Sequence, residues 1–171
     1  MKTNMRYTLL FYLSLSLFCC EPDDICSQST QTTPRLVIDF YDIENLSDKK
    51  SVAGLFAIGI NEQGDEINII GESVETRDRI ELPLDGNNSE SHFKLYKNYN
   101  IVDGIIQGNP DIISVNYNTE SIYVSRACGY KNNYSINDLN IDNDIDLWIV
   151  FSDIIINQVE NENIAHVQIF H

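Results

Sequence analysis

The chain has 171 residues, 43% of them hydrophobic and 10% aromatic, with 26 acidic residues against 11 basic ones. That balance suits one globular domain and excludes a wholly disordered chain. Lys2 and Arg6 are the only charged residues among the first 19, so losing that segment leaves 26 acidic residues against 9 basic ones, a formal charge of −17. The sign speaks against nucleic acid as a partner, because binding it depends on cations that displace counterions from phosphates.

Behind Lys2 and Arg6 runs Tyr7-Thr8-Leu9-Leu10-Phe11-Tyr12-Leu13-Ser14-Leu15-Ser16-Leu17-Phe18, an apolar stretch of the size found in export signals. A bilayer span takes about 20 apolar residues, so this one is too short to remain as a membrane helix. The run closes on Leu17-Phe18-Cys19-Cys20, which resembles the lipobox of bacterial lipoproteins. Cys20 is the better acceptor: it sets Leu17 and Cys19 in the expected places, whereas Cys19 would put bulky Phe18 at the cleavage point. Acyl chains on Cys20 would supply the two or more anchors that stable membrane attachment needs.

Cysteine arithmetic follows. With Cys19 removed and Cys20 acylated, Cys26 and Cys128 remain in a compartment that favours oxidation, and a disulfide between them is expected. The alternatives are two buried thiols or half of a metal site, and no CxxC pair supports the latter.

The expected organisation is a signal over 1–19, a lipidated cysteine and solvated tether over 20–34, and a β-domain over 35–171. The tether is rich in Ser, Thr, Gln, Asp and Pro. The first strand, 35–41, sets Leu36, Ile38 and Phe40 on one face. Further strands are expected at 52–60, 66–70, 79–84, 92–99, 112–118, 121–127, 147–155 and 165–170. Asn61-Glu62-Gln63-Gly64-Asp65 and Asp85-Gly86-Asn87-Asn88-Ser89 read as turns, and Tyr117-Asn118-Thr119-Glu120 as a hairpin. No segment longer than ten residues has a 3.6-residue period. Nine short strands with brief connections fit an antiparallel two-sheet sandwich, with a closed or partly open barrel as the alternative. Trp148, beside Ile149, Val150 and Phe151, reads as core.

Four segments carry a resemblance. They are the acidic stretch Cys20-Glu21-Pro22-Asp23-Asp24-Ile25-Cys26, Thr33-Pro34-Arg35-Leu36-Val37-Ile38-Asp39-Phe40-Tyr41-Asp42, Val124-Ser125-Arg126-Ala127-Cys128-Gly129-Tyr130-Lys131 and Glu162-Asn163-Ile164-Ala165-His166-Val167. Together they resemble small lipoproteins of Bacteroidota assigned only to a domain of unknown function. The resemblance implies a protein anchored in the cell envelope and brings no catalytic residues with it.

Chemistry is sparse. Asp138, Asn140, Asp142 and Asp144 place oxygen at alternate positions, as the start of a calcium loop does. An EF-hand-like loop would need Gly at Asn143 and Glu at Ile149, so a solvated acidic loop is the expectation and no metal is assigned. His92, His166 and His171 have no ligand partners at metal spacing, and alternation along the last strand puts His166 on its wet face. Nothing forms a nucleophile elbow or a phosphate cradle, and no cofactor is indicated. Arg126, Tyr130 and Lys131 around Cys128 concentrate scarce positive charge beside an aromatic and form the candidate partner-binding site; otherwise Arg126 pairs with a neighbouring carboxylate. The sequence therefore reads as a lipid-anchored, non-enzymatic protein of the outer membrane, a binding or accessory module for another envelope component such as a protein. The rival readings are an enzyme acting on an envelope polymer and a calcium-dependent adhesin.

Overall fold

A computed structural model describes residues 25–69 and 73–171. The signal segment, Cys20 and the acidic residues behind it lie outside the described residues, as does Ile70 at the end of one expected strand. Every regular element among the described residues is a strand: β1 (Leu36–Tyr41), β2 (Val52–Ile60), β3 (Glu66–Asn68), β4 (Glu75–Arg77), β5 (Arg79–Leu82), β6 (Glu90–Val102), β7 (Ile105–Ser125), β8 (Gly129–Ile141), β9 (Phe151–Ile154), β10 (Gln158–Val159) and β11 (Val167–Phe170).

They form two open sheets. The smaller has the order β5-β1-β11-β9 and the larger β10-β8-β7-β6-β2-β3, with β4 also on β2. Neither sheet closes on itself, so the sandwich is the architecture and the barrel is not. Its core lies between the inner faces. The smaller sheet contributes Leu36, Ile38, Phe40, Ile80, Leu82, Val167 and Ile169, and the larger Leu55, Ala57, Phe93, Leu95, Ile113, Val115, Tyr134 and Ile136. These are the inward positions of alternating strands, as β-branched and aromatic residues on a half-buried pleat require. One pairing departs from the antiparallel expectation. β1 runs parallel to β11 (Ile38↔Val167 to Tyr41↔Phe170), which knits the two ends of the domain into the centre of one sheet.

The expected turn at 117–120 is absent. β7 runs unbroken from Ile105 to Ser125, because residues 118–121 pass beyond the last rung to β6, Glu90↔Asn116, and extend polar side chains into water. The strand expected at 147–155 shortens to β9, since the Trp148 and Ile149 N–H groups are taken by a side chain. That side chain is Asp111, an inward position on β7 that is 1% exposed. Its Oδ2 accepts the N–H of Trp148 at 2.9 Å and of Ile149 at 2.7 Å. Trp148 then fills one end of the sandwich against Phe40 and His171, with its Nε1 donating to the Leu95 carbonyl at 3.2 Å.

His166 corrects the sequence reading. It is 1% exposed, not wet, because β11 starts only at Val167 and the His166 backbone bonds to the Val37 carbonyl. Its Nδ1 accepts the Val37 N–H at 3.0 Å, and burial lowers its pKa. The outer face of the smaller sheet buries a charged group, Asp39. Arg79 donates to it twice, at 2.6 and 3.0 Å, and Lys49 at 2.7 Å. Burial alone would raise that carboxyl, but the donors outweigh it and its pKa is lowered.

The chain forms two compact units. The larger comprises Gln31–Ile122 and Lys131–His171 and contains the sandwich core. Within it the tether is already docked, with Thr33 Oγ1 accepting the Asn132 N–H at 3.0 Å and Gln31 accepting from Lys131 at 3.2 Å. The solvated tether expected up to residue 34 is therefore bound from Gln31 onward. The smaller unit joins residues 25–30 to Tyr123–Tyr130. Its bond is the Cys26–Cys128 disulfide, as the cysteine arithmetic expected. The Cys128 N–H also bonds Ser125 Oγ at 3.0 Å within the turn.

Two outcomes test these anchors. Asp111→Ala strands two buried N–H groups and should lower unfolding free energy by about 2–3 kcal/mol, whereas Asp111→Asn keeps an acceptor and should cost about 1 kcal/mol or less. Burial raises the folded carboxyl's pKa, against the two N–H bonds that lower it. The contribution of this proton is therefore full below the unfolded value and lost as pH rises through the raised folded one. Urea titrations from about pH 3 to pH 7 should show the Asn variant gaining on the parent as pH rises. Opening the disulfide, which spans 102 residues of sequence, should cost about 2–4 kcal/mol, read as a lower denaturation midpoint in reductant.

Candidate functional site

The residues singled out around Cys128 are divided between the units. Arg126 and Tyr130 lie in the smaller one, where Tyr130 is exposed and meets Tyr123 edge-to-face at 5.4 Å. Arg126 is exposed and has no ion pair with any carboxylate among the described residues, so the expected alternative of a neighbouring carboxylate partner has no support there. Lys131 lies in the larger unit and spends its ammonium on Gln31.

The acidic run does not gather into a ligand set. Asp138 and Asn140 belong to β8 and bond to each other, Nδ2 to Oδ2, at 2.8 Å. Asp142 and Asp144 lie in the exposed loop beyond it. Among the described residues no three His, Cys, Asp or Glu side chains come together as metal ligands.

A groove of about 760 Å³ opens beside the β2–β3 turn, lined by Asn61, Glu62, Asp85, Asn87, Glu90 and His92 among others. Much of its polarity is already spent. Asn61 Oδ1 accepts the N–H groups of Gln63 and Asp65, and Asp85 accepts the Asn87 N–H and the Asn88 amide. His92 Nδ1 is 2.8 Å from Ser114 Oγ, but Ser114 is buried and is not one of the groove's lining residues. A nucleophile would have to face the groove, so this pair is a structural bond.

The surface that sequence reasoning missed lies on the outer face of the larger sheet. Its origin is one extra residue. β6 pairs regularly with β7 down to Lys97↔Asn109 and resumes at Asn100↔Gln107, leaving a bulge at Asn98, whose φ is +57°. Neighbouring strands make room with glycine. A Cβ on Gly54 of β2 would stand 3.0 Å from Asn98 Cα, and one on Gly108 of β7 would stand 2.9 Å from the Lys97 carbonyl oxygen and 3.0 Å from that of Asn98. A bulge reverses the alternation beyond it. Tyr96 and Tyr99, three residues apart, therefore share the outer face, with Tyr99 stacked on Phe56 at 4.3 Å and meeting Tyr96 edge-to-face at 5.2 Å.

Ile101 continues that face, and its cross-strand partner Ile106 lies beside it. Beyond them Asp103 (φ +51°) and Gly104 (φ +77°) make a two-residue turn between Val102 and Ile105, the backbone that an Asp-Gly hairpin favours. The ladder from β2 to β6 ends at Phe56↔Tyr96, and β8 ends at Ile141, where the Asp142 N–H bonds the Ile112 carbonyl. Residues 100–107 therefore form a two-stranded arm past both neighbours. Its aliphatic residues are exposed: Ile101 57%, Val102 40%, Ile105 67% and Ile106 45%. At its base a hollow of about 600 Å³ is lined by Phe56, Asn68, Val74, Tyr99, Asn100 and Ile101. Such a cluster of exposed aliphatics is a contiguous apolar patch rather than ordinary surface scatter.

Compared with known proteins, residues 54–171 match a family described as being of unknown function (DUF6452). No curated protein and no solved structure matches the chain.

The glycine cradle gives a direct test of the arm. Gly108→Ala forces a Cβ onto two carbonyls at a φ of +122° and should cost about 2 kcal/mol. Gly64→Ala, at +85° with open space around it, should cost about 1 kcal/mol. Thermal melts should show the larger loss at Gly108; equal losses would mean that the bulge is not held by its neighbours.

Proposed function

The chain belongs to this family of unknown function, DUF6452, and from that premise we propose that it is a non-enzymatic binding module held on the cell envelope by acyl chains on Cys20. The observation that carries the binding role is the exposed aliphatic arm on a net-acidic sandwich. Nothing in the packing of the core requires Ile101 or Ile106 to be aliphatic, and contact with another macromolecule does.

The disposition of its titratable groups supports a module over an enzyme. Three carboxyl groups whose pKa is displaced by their surroundings are tied into the fold. Asp39 holds Arg79 and Lys49, Asp111 holds the Trp148 backbone, and Glu162 takes the Arg35 guanidinium and N–H at 2.8–2.9 Å. A catalytic acid or base would turn such a group toward a cleft. Anchoring rests on the leader, on the Leu17-Phe18-Cys19-Cys20 sequence and on a disulfide six residues beyond the candidate acceptor, together with the likeness to Bacteroidota lipoproteins. An outer-membrane position follows from the same reading.

Metabolic labelling tests the anchor. Cells fed an alkyne fatty acid should label the native protein, and Cys20→Ser should lose the label and accumulate with its leader attached. An unlabelled native protein overturns the reading.

A further inference from the structure

We infer that the outer-face stripe and its arm dock on a second copy of this chain, in a two-fold pair that seats Ile101 and Ile106 of each copy in the hollow beside Phe56 and Tyr99 of the other. The inference concerns the sandwich alone and stands whether or not Cys20 is acylated.

Three observations select this occupant. The first is charge. The chain carries a formal −15, so two copies repel each other over most approaches. The stripe of Phe56, Ile58, Tyr96, Tyr99, Ile101 and Ile106 carries no charge, and the charged pair that borders it, Lys94 with Glu66, neutralises itself. Along the arm, residues 98–109 hold a single charged side chain, Asp103, at the apex. A partner chosen to bind an acidic protein would be met with carboxylates; this face offers none at its centre.

The second is self-complementarity. The raised pair Ile101 and Ile106 adjoins the hollow, with Ile101 forming part of its wall. Projection and recess thus lie side by side on one face, the arrangement that lets a two-fold axis satisfy both copies at once and close without growing into a filament. The third is the arm itself. A two-stranded ribbon is marginal alone in water, and here the Asn98 bulge with its flanking glycines holds it in place. Lipid is the less suited occupant, because the apex that would enter a bilayer first carries Asp103.

Alternation supplies the control. Ile106 shares the stripe's face, whereas Ile105 and Val102 pair on the opposite one. Sedimentation equilibrium of the full chain in density-matched detergent should give a dimer at tens of micromolar, roughly the range expected of a modest interface. Ile106→Asp should weaken association at least about tenfold, and Ile105→Asp should leave it nearly unchanged. Ile106→Thr, which keeps a β-branched side chain, should fall between them. Trp148 fluorescence melts establish that each variant is folded. A native chain that stays monomeric, or an Ile106→Asp chain that stays dimeric, overturns the inference. So does equal loss at Ile105 and Ile106, or a monomer whose arm binds phosphatidylethanolamine vesicles instead.

Discussion

Side chains on a strand alternate between two faces, and one added residue reverses everything beyond it. That constraint acts at Asn98. Without the bulge, a strand that set Tyr96 outward would turn Tyr99 and Ile101 to the opposite face, away from Phe56. With it, Tyr99 stacks on Phe56 and the arm leaves the sheet carrying aliphatics on both faces. The bulge is possible only because Gly54 and Gly108 flank it where a Cβ would strike backbone. The same sequence feature thus sets where the core ends and where the exposed apolar patch begins.

The rest of the sandwich is held by hydrogen bonds to buried carboxyl groups. Asp111 substitutes for a missing strand partner by accepting two consecutive N–H groups, which seats Trp148 as a plug. Asp39 fixes Arg79 and Lys49 on the outer face of the smaller sheet, where β1 is buried on both sides. Both carboxylates lie next to the parallel β1–β11 pairing or the plug, at the points where the two ends of the domain meet. Groups spent this way orient the elements that hold them.

Much of the fold was legible from residue periodicity. Leu36, Ile38 and Phe40 point inward as alternation predicts, β2 has the expected bounds, and the disulfide joins Cys26 and Cys128, the pair that cysteine counting singles out. The errors share a physical cause, that local pattern does not reveal a strand's neighbours. Residues 117–120 read as a hairpin turn, yet they are extended past the last rung to β6. His166 looked wet because alternation was counted through a residue that precedes its strand. The candidate surfaces are less legible: Arg126 and Lys131 stand out as scarce positive charge beside Tyr130, whereas the arm shows in the sequence only as Asp103-Gly104 between aliphatics, a hairpin signal.

The central inference is that the arm docks on a second copy, and amide hydrogen exchange across a dilution series of the full chain tests it most directly. The account predicts that Ile101, Ile106 and Gln107 exchange slowly in concentrated protein and speed up on dilution, while the core strands β1 and β11 do not change. Arm exchange that is the same at every concentration would contradict it.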